Sequence, residues 1–230
     1  MGRVGRRKSR GKSRIRGDRT KSRILDAAER QFAKHGYDGV SLRALAAAAD
    51  AQLALIHYHF GSKLDLYRAV WARWLTPFDL SKPSPVRPEL PAGVPLEANV
   101  RTFVDRFFEP LIRLMQTPRG RHLLTILGRE MSDPKATARG VLKLYVDPRL
   151  KLLVGDIQRL MPSLTAGEVS LGYNMMAGIA TSVLVNHARI MRTSRGVSTV
   201  DDLLKSLPAV ITFVVGGWLG IHQMGVGKHR

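Results

Sequence analysis

Ile24, Leu25, Ala28 and Phe32 recur at the three- and four-residue spacing of one buried helix face. The helix they predict starts near Arg19 or Thr20 and ends at Gly36, a residue suited to a left-handed C-cap, with Tyr37-Asp38-Gly39 as the connection. Ser41 is a good N-cap for a second helix that buries Leu42, Leu45 and Ala46. Asp50-Ala51 then make a turn. A third, short helix runs from Gln52 to His57 or Tyr58, with Ala51, Ile56 and Phe60 as its core positions. Ser62 caps a fourth, from Lys63 to about Leu75, whose Leu66, Tyr67 and Val70 face inward.

Six prolines fall in the nineteen residues from Pro77 to Pro95, a density that no helix survives. The segment reads as a connection. From Leu96 the helical pattern resumes, with helices expected near 96–117, 119–132, 136–161, 166–191 and 200–219. Pro148 should kink or split the third of these, and Ser198 or Thr199 should cap the last. No stretch alternates with the period of a strand. The expectation is an all-α chain with an arm at 1–18, a helix-turn-helix at 19–76, a connection at 77–95, a helical domain at 96–221 and a tail at 222–230. A short turn joining the second and third helices is the arrangement that sets a recognition helix into a DNA major groove.

Charge strengthens that picture. The 230 residues carry a net +19, and residues 1–23 hold eleven Lys/Arg against Asp18 alone. A balance this basic points to polyanions. The arm at 1–18 alternates Arg/Lys with Gly and Ser, has almost no apolar residues and is expected to be disordered. There is no cysteine, which excludes disulfides, thiolate metal sites and a Cys nucleophile and suits a reducing cytoplasm. The charged N-terminus does not read as a signal peptide. Leu207–Ile221 is uncharged but shorter than the ~20 residues of a membrane span; it reads as a buried helix at a subunit interface, and no membrane association is expected. No nucleophile elbow, phosphate loop, metal motif or working carboxylate pair is present, so neither enzymatic activity nor a cofactor is expected.

The stretches ILDAAERQFAKHGYDGVSLRALA and IHYHFGSKLDLY resemble the TetR family of transcriptional regulators, in order and spacing, over residues 19–70. RFFEPLIRLM and LLTILGREMSDP are similar to the C-terminal domain of a fatty-acid-responsive subgroup. The resemblance implies an all-helical, cytoplasmic homodimer, a double-stranded operator, and a small-molecule pocket in the C-terminal domain for an apolar or fatty-acyl effector. It also implies a four-helix interface made from the last two helices of each subunit, where Gly178, Ala180, Gly216 and Gly217 would allow close approach and Phe213 and Trp218 would fill the seam.

Carried over residue by residue, Ser41 and Arg43 open the second helix beside the DNA backbone, Ser41 as cap and phosphate contact together. Gln52, Leu53, Ala54 and Leu55 begin the recognition helix, where the family has more polar residues. Leu53 and Leu55 either touch thymine methyls or pack into the core. His57 stands where the family places a phosphate-contacting Tyr, and its imidazole N–H supplies that donor in a pH-dependent way. Tyr58, His59 and Lys63 are further backbone clamps. His57 and His59 diverge on a helix, so no shared metal is expected. Arg14, Arg16, Arg19, Lys21 and Arg23 form a second basic element for the backbone or minor groove. Phe103, Phe107, Met175, Asn174 and His187 are candidates for the effector pocket. Arg129 either meets an anionic head group there or pairs internally with Glu130 or another acid. The leading reading is a repressor released from a palindrome by its effector; the alternative is an architectural DNA binder driven by the arm.

Overall fold

The computed structural model describes residues 4–75, 93–185, 187–193 and 199–227; the side chains of residues 4–16, 75, 149, 184, 185, 187 and 188 fall outside that description. The described residues are helical, with no strand. The chain divides into two compact units, Met1–Phe78 and Asp79–Arg230. Most of the expected connection at 77–95 lies outside the described residues.

The first unit contains α1 (Val4–His35), α2 (Leu42–Ala48), α3 (Leu53–Phe60) and α4 (Lys63–Leu75). Its core is built from the predicted faces: Ile24, Ala28 and Phe32 of α1, Leu45 of α2, Ile56 and Phe60 of α3, and Leu66, Tyr67 and Val70 of α4 are all buried. Phe32 meets the Tyr67 ring edge-on at 4.9 Å between centroids. Two polar ties fasten α4 to α1. Trp74 Nε1 donates to Glu29 Oε2 at 3.1 Å, and Arg73 lies 2.7 Å from Asp26. Gly36 ends α1 at φ 73°, donating its N–H to the Phe32 carbonyl. Gly39 is forced by packing, because a Cβ there would stand 2.3 Å from the His35 carbonyl oxygen.

α1 begins at Val4, so its helix takes in the arm. Arg and Lys are good helix formers, no proline interrupts the run, and extending an existing helix avoids the cost of nucleation.

The second unit contains α5 (Leu96–Met115), α6 (Pro118–Ser132), α7 (Ala136–Arg139), α8 (Val141–Tyr145), α9 (Asp147–Leu160), α10 (Ala166–Val185), α11 (His187–Thr193) and α12 (Val200–Gly227). α12 packs along α5, and α10 packs against α5, α6, α9 and α12. The core gathers Val100, Phe103, Val104, Phe108, Leu153, Ile157, Met176 and Trp218. The helix expected over 136–161 is three pieces. Gly140, at φ 66°, separates α7 from α8; Val146 separates α8 from α9, and Pro148 sits in the first turn of α9, where its missing N–H costs nothing. α12 runs past 219 to Gly227, taking in most of the expected tail.

α10 and α12 each present two apolar faces. Met176 and Ala180 of α10, and Leu207, Ile211, Val214 and Trp218 of α12, are buried within the subunit. On the outer faces, Leu171, Met175 and Gly178 of α10 and Phe213, Gly216, Gly217 and Met224 of α12 are exposed, Phe213 by 72%. Ala180 and Trp218, expected in a dimer seam, therefore belong to the subunit core. The indole of Trp218 lies against Gly172, where a Cβ would come within 2.6 Å of the ring. By length and composition α12 is apolar enough to cross a membrane; one of its stripes is already used in the core.

Candidate nucleic-acid interface

Ser41 has an extended backbone at φ −97°, ψ 155°, and its Oγ accepts the Ala44 N–H at 3.1 Å. The hydroxyl thus satisfies one of the open donors of the first turn, and the exposed N-terminus of α2 keeps others for an outside acceptor. Arg43 is exposed on that turn.

The turn between α2 and α3 is made by Asp50 at φ 46°. Arg23 of α1 holds it: one guanidinium nitrogen donates to the Asp50 carbonyl at 2.8 Å, and another lies 3.7 Å from the carboxylate. Arg23, expected among the DNA-binding cations of the arm, thus has a structural task. Arg19 and Lys21 remain exposed on α1; the side chain of Arg16 lies outside the described residues.

Gln52 caps α3 through its backbone alone, and its side chain is exposed. Ile56 and Phe60 turn inward. Ala54, His57 and Tyr58 lie three and four residues apart and share the outer face. Tyr58 is 82% exposed, a large amphipathic ring with no packing reason to be outside. Leu53 and Leu55 are half-buried, flanking this face. Each packs part of its side chain and leaves part at the surface. Ala54, the smallest residue of the group, occupies the outward position and permits close approach.

His57 closes onto its own helix end. Its backbone carbonyl accepts the Gly61 N–H at 2.9 Å, and its Nδ1 lies 2.8 Å from the Gly61 carbonyl oxygen. A carbonyl only accepts, so Nδ1 carries the hydrogen. His59 packs edge-on against Tyr58 and tilted against Phe60. The two imidazoles diverge. At the start of α4, Ser62 Oγ accepts the Asp65 N–H and donates to Asp65 Oδ2 at 2.6 Å. Lys63, expected as a clamp, places its Nζ 4.4 Å over the Tyr37 ring, which fixes the ammonium at this edge of the unit. Sequence reasoning missed the Lys63–Tyr37 and Arg23–Asp50 pairings, because neither spacing is local.

The effector residues fare differently. Phe103 is buried, edge-on to Trp218, and Phe107 is half-buried between Phe108 and Tyr173. Asn174 and Met175 are exposed, and Asn174 Nδ2 donates to the Ser170 carbonyl of its own helix. They occupy the outer stripe of α10, Met175 one residue out of phase with the buried Met176. Arg129 is also exposed. The buried member of that dipeptide is Glu130, which is 2% exposed and receives Arg139 Nε at 3.0 and 3.1 Å; Arg139 also reaches Asp133 at 2.6 Å. The Lys135 N–H and Arg139 hold the Asp133 carboxyl below its ordinary pKa. An internal partner of Glu130 is therefore nine residues away in sequence. The side chain of His187 lies outside the described residues.

A capped helix, a tight turn and a short exposed helix on a fixed frame define a helix-turn-helix unit. Residues 24–70 match the family model described as bacterial regulatory proteins, tetR family, and residues 105–217 match a tetracyclin repressor-like C-terminal domain. The chain belongs to the tetR family of transcriptional regulators. It is 30% identical over 138 residues to the HTH-type transcriptional dual regulator CecR of Shigella flexneri, covering 58% of this chain and 61% of that protein. Its fold is similar to that of the fatty acid degradation regulator FadR from Bacillus halodurans, with TM-score 0.59, 19% identity and 86% and 95% of the two chains covered. FadR from Bacillus subtilis, solved in complex with stearoyl-CoA, gives TM-score 0.58, 16% identity and 85% and 98% coverage.

Proposed function

We propose that the protein is a homodimeric, sequence-specific repressor that binds a palindromic operator through α3 and leaves it when a small apolar effector occupies the second unit. The observation that carries this reading is the outer face of α3. Gln52, Ala54, His57 and Tyr58 are presented by a helix whose other side is locked in the core. Gln52 and Arg43 suit base edges, and the apolar rim of Leu53, Ala54 and Leu55 suits thymine methyls. Ser41, His57, Tyr58 and Lys63 surround that face with phosphate ligands. The exposed apolar stripes of α10 and α12 support a dimer seam, since they would be a liability in a monomer. The aromatic interior around Phe103 and Phe107, together with the stearoyl-CoA bound by the Bacillus subtilis neighbour, supports an acyl effector.

Release follows if the effector prefers the state whose two recognition helices miss successive major grooves. Selection from a random duplex pool at near-physiological salt tests the reading. The expected product is a palindrome with half-sites about one helical turn apart. Recovery of no motif, with binding that collapses as salt rises, would replace it with arm-driven architectural binding.

A further inference from the structure

The geometry points to His57 as a proton-linked phosphate ligand: it grips DNA as an imidazolium, so each recognition helix takes up a proton when it binds. This inference rests on the DNA-binding reading of α3. Nδ1 is committed, as a donor, to the Gly61 carbonyl at 2.8 Å, and the Gly61 N–H returns to the His57 carbonyl at 2.9 Å. The ring is thus fastened at both levels to the end of its helix. Nε2 is the ring nitrogen left for an outside partner.

In the neutral ring with hydrogen on Nδ1, Nε2 is a bare acceptor. Phosphate oxygens, guanine O6 and N7 are acceptors too. The two lone pairs repel, and the contact is lost. Moving the hydrogen to Nε2 restores the outward donor but sets the Nδ1 lone pair against the Gly61 oxygen. Protonation satisfies both sides: Nδ1–H keeps Gly61, and Nε2–H meets the phosphate with a full charge behind it.

The surroundings leave the proton to be stabilised by DNA. α2 and α4 pack against α3. Their charged and titratable groups are Arg43 on α2 and Lys63, Asp65, Tyr67, Arg68 and Arg73 on α4, with Tyr58 and His59 on α3 itself. Asp65 is the one carboxylate among them, and it is engaged by Ser62 and by Arg68 at 3.8 Å. Tyr67 is in the core and Arg73 is paired with Asp26. Among these groups the one carboxylate is already engaged, and an incoming phosphate would supply a counter-ion to an imidazolium at 57.

The test is operator affinity from pH 6 to pH 8 at fixed ionic strength, using the selected duplex, for wild type, His57→Gln and His57→Lys. Circular dichroism at each pH confirms the fold. Linkage sets the ceiling at about one decade of affinity per pH unit for each recognition helix. Wild-type affinity is expected to fall about tenfold or more across the range. His57→Gln, a neutral side chain, should bind weakly and with a flat profile. His57→Lys, a permanent cation, should keep its affinity at pH 8 and also lose the slope. A flat wild-type profile, or a slope that survives in His57→Gln, overturns the inference while leaving the DNA-binding reading intact. A folded wild type with no sequence-specific complex at any pH removes that reading, and this inference with it.

Discussion

Asp50 is the one residue other than glycine at positive φ among the described residues. Left-handed backbone costs a residue with a β-carbon about 1–2 kcal/mol, least for Asp, Asn and Gly. Asp50→Asn should therefore leave the urea midpoint nearly unchanged, whereas Asp50→Val should lower stability by about 1–2 kcal/mol; equal midpoints would show the turn to be unstrained. The Arg23–Asp50 ion pair adds little, because it is open to solvent. On the exposed face, Arg43→Ala and Tyr58→Ala remove side chains that the core does not use, although Tyr58 also meets the His59 ring edge-on. Each should weaken operator binding by about tenfold or more while leaving the melting temperature unchanged. Wild-type affinity in both, measured by fluorescence anisotropy, would remove α2 and α3 from the interface. The placement of single residues on this surface was legible where a cap or a helical face implies it, as for Ser41 and Tyr58. It was illegible where a distant partner decides, as for Arg23 and Lys63.

At the scale of elements, the joint between α6 and α7 rests on a buried charge. Leu123, Ile126 and Glu130 lie on one stripe of α6, and Glu130 closes it as a carboxylate satisfied by Arg139. Removing one member of such a pair leaves the other uncompensated, at about 3–5 kcal/mol. Arg139→Ala should lose about that much in urea unfolding. Glu130→Leu combined with Arg139→Met should recover most of it, because an apolar pair does not need the counter-charge. A loss for Arg139→Ala below about 1 kcal/mol would mean that water already reaches Glu130. Acid acts on the same joint through Asp133. Its folded carboxyl pKa lies below the ordinary value, so its contribution is present above that value and is lost as pH falls through the lowered one. The sequence marks Arg129-Glu130 as unusual in an apolar helix, but which of the two faces inward depends on a 100° step that the apolar pattern on both sides leaves open. α10 shows the same ambiguity. With apolar residues on both stripes, Met175 and Met176 are indistinguishable by periodicity, and tertiary packing alone places one outside and the other in the core. The break before α9, by contrast, is written in Pro148.

For the whole molecule, the open question is what covers the outer stripes of α10 and α12. Phe213 and Met224 lie on the face of α12 that carries Gly216 and Gly217, where a Cβ would meet nothing within 4 Å. Small residues let two helix backbones approach, and the flanking large side chains fill the sides of the contact. A second copy of the same surface, related by a two-fold axis, would bury all of them at once. The functional consequence is bivalency, since a dimer converts the second half-site contact into an intramolecular step worth 10²–10⁴ in affinity, by order of magnitude. Phe213→Asp places a charge in that seam while its site is 72% exposed in the single subunit, so the fold should survive. Light scattering should then report a monomer, and affinity for the palindrome should fall by roughly two orders of magnitude or more, with half-site affinity unchanged. A Phe213→Asp protein that stays dimeric moves the seam elsewhere. A monomer that keeps full palindrome affinity denies that the two recognition helices act together, and with that the pairing of two-fold operator and two-fold protein.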